Sequence, residues 1–148
     1  MKRLLLDTCI YGEMVVDKNL PNLRENYQKK KDFIVYGFSL IRKELRATSK
    51  TKLYNGMNLL VALLSLYDEF VRDKTLTVEE MELRKIAEAY YMAYRKIGGN
   101  YPEEELMADY LIVACAALKG MDLVVSNDHA TMLSDYSLTA YSLVHKEM

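Results

Sequence analysis

The chain opens with the stretch KRLLLDT at residues 2–8, in which three leucines are followed at once by Asp7 and Thr8. The apolar run is too short for a helix, whereas an Asp-Thr pair is typical of a helix start. We therefore predict a buried strand that ends at Leu6 and a helix that begins directly after it. Because functional groups in parallel sheets collect beyond the carboxyl ends of the strands, Asp7 is the first candidate site residue.

Outward from this stretch, strands and helices alternate. Further strands are predicted at residues 33–38, 122–126 and 139–144. Helices are predicted at residues 20–31, 39–46, 53–71 and 103–118. One more helix is predicted to begin at a capping box with Thr77 as N-cap and to end near Ile97. Strands separated by helices, without two-residue hairpin turns, predict an α/β fold, a three-layer α/β/α sandwich around a central parallel sheet of four or five strands. We expect residues 1–148 to form a single domain, because no linker, repeat or low-complexity tract divides them.

Composition indicates an ordinary globular protein, with 51% hydrophobic and 28% charged residues. Cys9 and Cys115 form no CxxC motif, and no signal peptide is recognisable at the start of the chain, so we expect a cytoplasmic protein. The longest apolar stretch, residues 59–67, is far shorter than the roughly 20 residues that span a bilayer, which predicts no membrane partner.

The charge balance does not by itself predict a nucleic-acid partner, because the net charge is only −1. Basic residues nevertheless cluster at Lys29–Lys31 and between Arg42 and Lys52. For each of these runs the more economical interpretation is a solvated helix face.

Four acidic residues stand out from this background. Asp7 and Asp128 each follow a predicted strand, so they are expected at the same edge of the sheet. Asp109 lies on an apolar helix stripe, where a carboxylate loses hydration unless something pairs with it. A first-turn acid favoured by the helix dipole, or one paired with a buried Arg, is the alternative there. Glu44 follows the second strand by one or two helical turns, and an exposed helix glutamate is its alternative.

Four motifs built around these acids occur in order along the chain. They are LLLDTC at 4–9, a Ser39 with Glu-Leu at 44–45, DYLIVACA at 109–116, and VVSND at 124–128. Together they resemble the signatures of the PIN-domain ribonucleases, a family that includes the VapC-like toxins. The third motif is the most specific, and the set spans nearly the whole chain. Two departures are Cys9, where a Ser or Asn is usual, and residues 130–132, where the family often has a second acid and a Phe.

The resemblance implies a PIN-like, Rossmann-like fold and a metal-dependent endoribonuclease acting on single-stranded RNA. It implies that Asp7, Glu44, Asp109 and Asp128 bind Mg²⁺ or Mn²⁺, the hard cations that prefer oxygen ligands. Thr8 and Ser126 are expected to orient carboxylates or waters. A homodimer or higher oligomer and an antitoxin protein are the implied partners, whereas His129 and His145 receive no role.

Three other functions are the alternatives to a ribonuclease. A haloacid dehalogenase-type phosphatase needs an acid at the position of Cys9, and a response-regulator receiver needs an acidic pair where Thr8 stands. Each of these two functions is disfavoured because the chain lacks one residue that its chemistry requires. The serious alternative is a non-catalytic PIN-like adaptor that binds RNA or protein, although the retention of all four acids disfavours it.

Overall fold

The computed structural model describes residues 1–30 and 32–148. In chain order its elements are β1 (Lys2–Leu6), α1 (Thr8–Val16), α2 (Leu20–Lys29), β2 (Phe33–Tyr36), α3 (Ser39–Arg46), β3 (Leu53–Tyr54), β4 (Met57–Asn58), α4 (Leu59–Val71), α5 (Glu80–Lys96), α6 (Glu103–Leu118), β5 (Leu123–Val125) and α7 (Asp135–His145). They form two compact units, residues 1–76 with 121–125 and residues 77–120 with 126–148. The fold is mixed α/β, as the sequence predicts.

The first unit contains a parallel sheet with the strand order β2-β1-β5. Leu5 of β1 is completely buried and lies opposite Tyr36 of β2 and Val124 of β5. Helices α1 to α4 belong to the same unit, and α4 supplies the buried side chains Leu66 and Phe70. The central position of β1 explains why the KRLLLDT stretch is apolar, since a strand between two others is shielded along both of its edges.

The second unit consists of helices α5, α6 and α7. Their core is rich in tyrosine, because Tyr90 and Tyr94 of α5 pack edge-on against Tyr110 of α6. Tyr141 of α7 packs edge-on against both Tyr90 and Tyr110. The apolar stripe predicted for α5 is confirmed by the burial of Leu83, Ala87, Tyr90 and Tyr94.

Several secondary-structure predictions are wrong. Residues 139–144 belong to α7 and not to a fourth strand, so the parallel sheet has three strands within the described residues, where four or five were expected. Residues 53–58 form the antiparallel β3–β4 hairpin, whereas a helix was predicted from residue 53. Its turn is Asn55-Gly56 with φ values of 50° and 77°, the positive angles that a two-residue hairpin turn requires.

Two helix boundaries also differ from expectation. Helix α5 begins at Glu80 after an N-cap at Glu79 that makes no side-chain cap hydrogen bond, so the Thr77 capping box is wrong. Helix α2 ends at Lys29, and Lys31, where the predicted helix ended, lies outside the described residues. By contrast, α6 spans residues 103–118 as predicted. No helix in the described ranges combines the length and the apolar character needed to cross a membrane.

Candidate functional site

Asp7 occupies the junction between β1 and α1. Its backbone N–H donates to the Val125 carbonyl of β5 at 2.8 Å, which continues the sheet pairing by one residue. Its Oδ1 accepts the Thr8 backbone N–H at 2.8 Å, so the carboxylate caps α1. Only 6% of Asp7 is exposed, and it is one of only two buried polar residues in the described chain. A buried carboxylate at the carboxyl end of the central strand is the arrangement expected from the sequence.

Glu44 is joined to Asp7 through Thr8. The Thr8 hydroxyl donates to Glu44 Oε1 at 2.8 Å, which brings α3 to the start of α1. Glu44 is half-buried, and burial raises its pKa; the Thr8 hydrogen bond opposes this, and the charge of Asp7 adds to it. The net effect is a raised pKa, caused mainly by burial. We call Asp7, Thr8 and Glu44 the Thr8 cluster.

Cys9 also contacts this cluster. Its Sγ lies 3.5 Å from Asp7 Oδ2, within hydrogen-bonding distance for sulfur. A thiol is a weaker donor than the hydroxyl or amide that the PIN signature usually has at this position. The departure at Cys9 therefore retains a donor to Asp7, although a weak one.

A second group of acids lies in the other unit. Asp109 is on α6, and Asp128 lies in the loop that follows β5. The Thr131 Oγ1 is 2.6 Å from Asp109 Oδ2 and 2.6 Å from Asp128 Oδ2. The two carboxylate oxygens are therefore no more than twice 2.6 Å apart. We call Asp109, Thr131 and Asp128 the Thr131 cluster.

The loop around Asp128 is held by its own hydrogen bonds. Asp128 Oδ1 accepts the backbone N–H groups of Ala130 and Thr131 at 3.1 and 3.0 Å, and its own N–H donates to Ser126 Oγ at 3.0 Å. Burial favours a raised pKa for Asp128, but the hydrogen bonds from Thr131 and Ala130 outweigh it, and the pKa is lowered. Ser126 thus positions the backbone of Asp128.

The structure brings the six predicted site residues together as two groups. Thr8 joins Asp7 to Glu44, and Asp109 is joined to Asp128 by a residue that the sequence did not single out. That residue, Thr131, was noted only as a departure from the family pattern. An Asp in a loop typically accepts a backbone N–H two residues on, which predicts a closed turn after Asp128 but not the contact of Thr131 with Asp109.

The two histidines differ in their surroundings. His129 is exposed, and of the groups that lower the pKa of Asp128 it has the smallest effect. His145 lies in α7 and not at the end of a strand, and its Nε2 is 2.5 Å from the Tyr90 hydroxyl. Neither arrangement points to general-base chemistry at an acidic cluster.

The basic runs are partly neutralised. Arg42 makes two hydrogen bonds of 3.0 Å to Asp68, and Lys29 pairs with Glu25 at 2.7 Å. For these two residues the interpretation as solvated helix faces holds. Lys31, the third member of the first run, lies outside the described residues.

The described residues contain no group of three or more His, Cys, Asp or Glu side chains arranged to hold a metal ion. Each cluster supplies two carboxylates and a threonine hydroxyl, all of them oxygen donors. Comparisons with family models, with curated proteins and with solved structures gave no match for this chain.

Proposed function

We propose that this chain is a divalent-metal-dependent endoribonuclease that hydrolyses phosphodiester bonds of single-stranded RNA. The observation that carries the proposal is the pairing of carboxylates, because one threonine contacts both acids of each pair. Thr8 donates its backbone N–H to Asp7 and its hydroxyl to Glu44, and the Thr131 hydroxyl lies beside both Asp109 and Asp128. Asp7, Glu44, Asp109 and Asp128 are the proposed ligands of Mg²⁺ or Mn²⁺.

The donor set fits such a cation. A threonine hydroxyl has one proton to donate, whereas Thr131 lies 2.6 Å from two carboxylate oxygens. If both carboxylates are ionised, only one of these two contacts can be a hydrogen bond at a time, and the two negative charges repel one another. Positive charge beside Asp109 and Asp128 would relieve this repulsion, and carboxylate oxygens are the ligands that Mg²⁺ and Mn²⁺ prefer.

The Thr8 cluster supports the same conclusion by a different route. Burial and, to a smaller extent, the charge of Asp7 raise the pKa of Glu44, and a nearby cation would lower it. Thr8 holds the Glu44 carboxylate in place, and the N-terminus of α1 holds that of Asp7. Both acids are therefore oriented before any ligand arrives, which lowers the cost of binding.

A bound divalent cation supplies an activated water and positive charge for the oxygens of the scissile phosphate. The chain contributes the positions of the acids. Thr8 orients Glu44, Thr131 orients Asp109 and Asp128, and Ser126 fixes the backbone of Asp128.

Further parts of the proposal rest on the resemblance alone. They are assembly as a homodimer or higher oligomer and an antitoxin protein partner. The three-layer α/β/α arrangement is proposed from the alternation of strands and helices, and a cytoplasmic location from the sparse cysteines. A PIN-like adaptor without catalysis is the alternative that the experiment below distinguishes.

The test measures metal binding and RNA cleavage in the same protein preparation. Purified chain is titrated calorimetrically with Mn²⁺ and then incubated with mixed single-stranded RNA and Mn²⁺ or Mg²⁺, with and without EDTA. Asp7→Asn and Asp109→Asn each remove one charge from a different cluster, and Glu88→Gln, an exposed acid of α5, is the matched control.

We expect cleavage in the unaltered chain and in Glu88→Gln, and none with EDTA or in either Asp→Asn variant. Cleavage that persists in EDTA would contradict the metal dependence. Metal binding without cleavage, in folded protein free of co-purified inhibitor, would favour the adaptor. Absence of both activities would overturn the proposal.

A further inference from the structure

A second feature of the first unit is a cavity of about 400 Å³ beside the start of β2. Its lining residues are Tyr27, Gln28, Phe33, Ile34, Arg72 and Lys74. Phe33 lies opposite Lys2 in the parallel sheet, so the cavity is at the end of the strands remote from Asp7. It therefore contains none of the proposed metal ligands.

The cavity has a cationic side. Two of its six lining residues are basic and none is acidic. Arg72 is exposed and makes no salt bridge within residues 1–30 and 32–148. The ammonium of Lys74 is 2.8 Å from the Val71 carbonyl and 3.5 Å from that of Phe70, so the end of α4 holds it in place. Burial lowers the pKa of Lys74, and the charge of Asp73 partly offsets this.

Arg72 is held in an unfavourable backbone conformation. It caps the C-terminus of α4 with φ 55° and ψ −118°, a region that L residues other than glycine adopt at a cost. Glycine would satisfy this backbone, yet the chain has an arginine there, and that arginine lines the cavity. A strained residue with a charged side chain in a pocket is a feature that functional sites retain.

The opposite side of the cavity is aromatic and rigid. The Tyr27 ring lies between Phe33 and Phe70, with centroid distances of 5.2 and 4.7 Å. Its hydroxyl donates to the Phe70 carbonyl at 2.9 Å and accepts the Val35 N–H at 3.0 Å. The Tyr27 ring is thus fixed by stacking and by two hydrogen bonds, and it supports the half-buried Phe33 side chain, which is the apolar surface available to a flat ring.

The geometry points to a binding site for a nucleoside monophosphate group, with its phosphate at Arg72 and Lys74 and its base against Phe33. A volume of about 400 Å³ is within the range of small-molecule sites. Cations next to an aromatic wall match a ligand that carries both an anion and a planar ring. The group is either a free nucleotide or one nucleotide of an RNA chain. This site does not depend on the proposed hydrolysis.

The test is a titration in EDTA, which removes any contribution from a metal centre. Adenosine 5′-monophosphate, adenosine and inorganic phosphate are titrated separately, followed by a short single-stranded oligoribonucleotide. We expect the monophosphate to bind at least tenfold more tightly than adenosine or phosphate alone. A tighter oligonucleotide identifies RNA as the source of the group, and exclusive binding of the monophosphate identifies a free nucleotide.

Arg72→Gly separates binding from folding. It removes the guanidinium and relieves the positive φ, so we expect roughly ten- to hundred-fold weaker binding together with a melting temperature about 3 °C higher. Asn55→Gly is the matched control, since Asn55 also has a positive φ but lies outside the cavity, and it should leave binding unchanged. Lys74→Gln should also weaken binding. No monophosphate binding, or equal affinity in Arg72→Gly and the unaltered chain, would overturn the inference.

Discussion

Replacing Thr131 by valine removes the hydroxyl that joins Asp109 to Asp128 and preserves the shape of the side chain. Because the hydroxyl has one proton, it makes one charge-assisted hydrogen bond at a time, although both carboxylates lie 2.6 Å away. Such a bond contributes about 1.5–3 kcal/mol, and the half-buried setting favours the lower end of that range. We therefore expect Thr131→Val to lower the free energy of unfolding by about 1.5 kcal/mol, a shift of roughly 5 °C in melting temperature.

The same substitution has a consequence for titration. The hydrogen bond from Thr131 lowers the pKa of Asp128, so its loss should raise that pKa. Urea unfolding in EDTA measures the stability, and carbon-detected NMR titration of the Asp128 carboxyl measures the pKa. Thr131→Ser keeps the hydroxyl and should restore both properties. Thr139→Val, at an exposed position of α7, controls for the exchange of threonine for valine.

A Thr131→Val protein with unchanged stability and an unchanged Asp128 titration would refute the reasoning. The hydroxyl would then not be bonded to either carboxylate in solution. The close approach of the two carboxylates at Thr131, on which the fit of a cation rests, would lose its basis.

Three further predictions concern the core of each unit. Tyr11 is fully buried, and its hydroxyl has no hydrogen-bond partner among the described residues. Tyr11→Phe should therefore raise the free energy of unfolding by about 1 kcal/mol, measured by urea unfolding. A loss of stability would show that the hydroxyl has a hydrogen-bond partner. A Cβ at Gly37 would collide with side chains of α4, so Gly37→Ala should lower the free energy of unfolding by about 1–3 kcal/mol in the same assay. A Cβ at Gly12 meets nothing within 4 Å, so the control Gly12→Ala should cause no loss of stability. Burial lowers the pKa of His145 below its ordinary 6.5, so the unfolded chain binds more protons and stability should fall as the pH drops below 6.5. His145→Gln should lose that component, and equal pH dependence in both proteins would contradict the contact with Tyr90.

The sequence predicts the positions of the acids better than it predicts the residues that contact them. Asp7 could be placed because a run of leucines followed by Asp-Thr is a local pattern, and the structure has β1 end at Leu6 and α1 begin at Thr8. Thr131 could not be found in this way. It contacts Asp109, 22 residues away, through the packing of a loop against a helix, and no local pattern encodes that distance.

The two misassigned segments have different causes. Residues 139–144 are rich in β-branched and aromatic types, which favour a strand, but Ser137, Ala140 and Tyr141 form one buried helical face. The Tyr141 hydroxyl donates to the Met132 carbonyl at 2.8 Å, so tertiary packing outweighs the strand propensity. The hairpin at residues 53–58 was predictable, because Asn-Gly is the strongest short signal for a two-residue turn.

The sequence by itself determined which residues form β1 and α6 and that a strand lies within residues 122–126, where the structure has β5 at Leu123–Val125. It also determined that four acids stand at the ends of these elements or on neighbouring helices. These features depend on local hydrophobic periodicity and on capping, which act over a few residues. Only the tertiary structure decided that Thr8 joins Asp7 to Glu44, that Thr131 joins Asp109 to Asp128, and that Arg72 lines an aromatic cavity. Such contacts arise from burial and hydrogen bonding between segments distant in the chain, and the free energy of packing selects them.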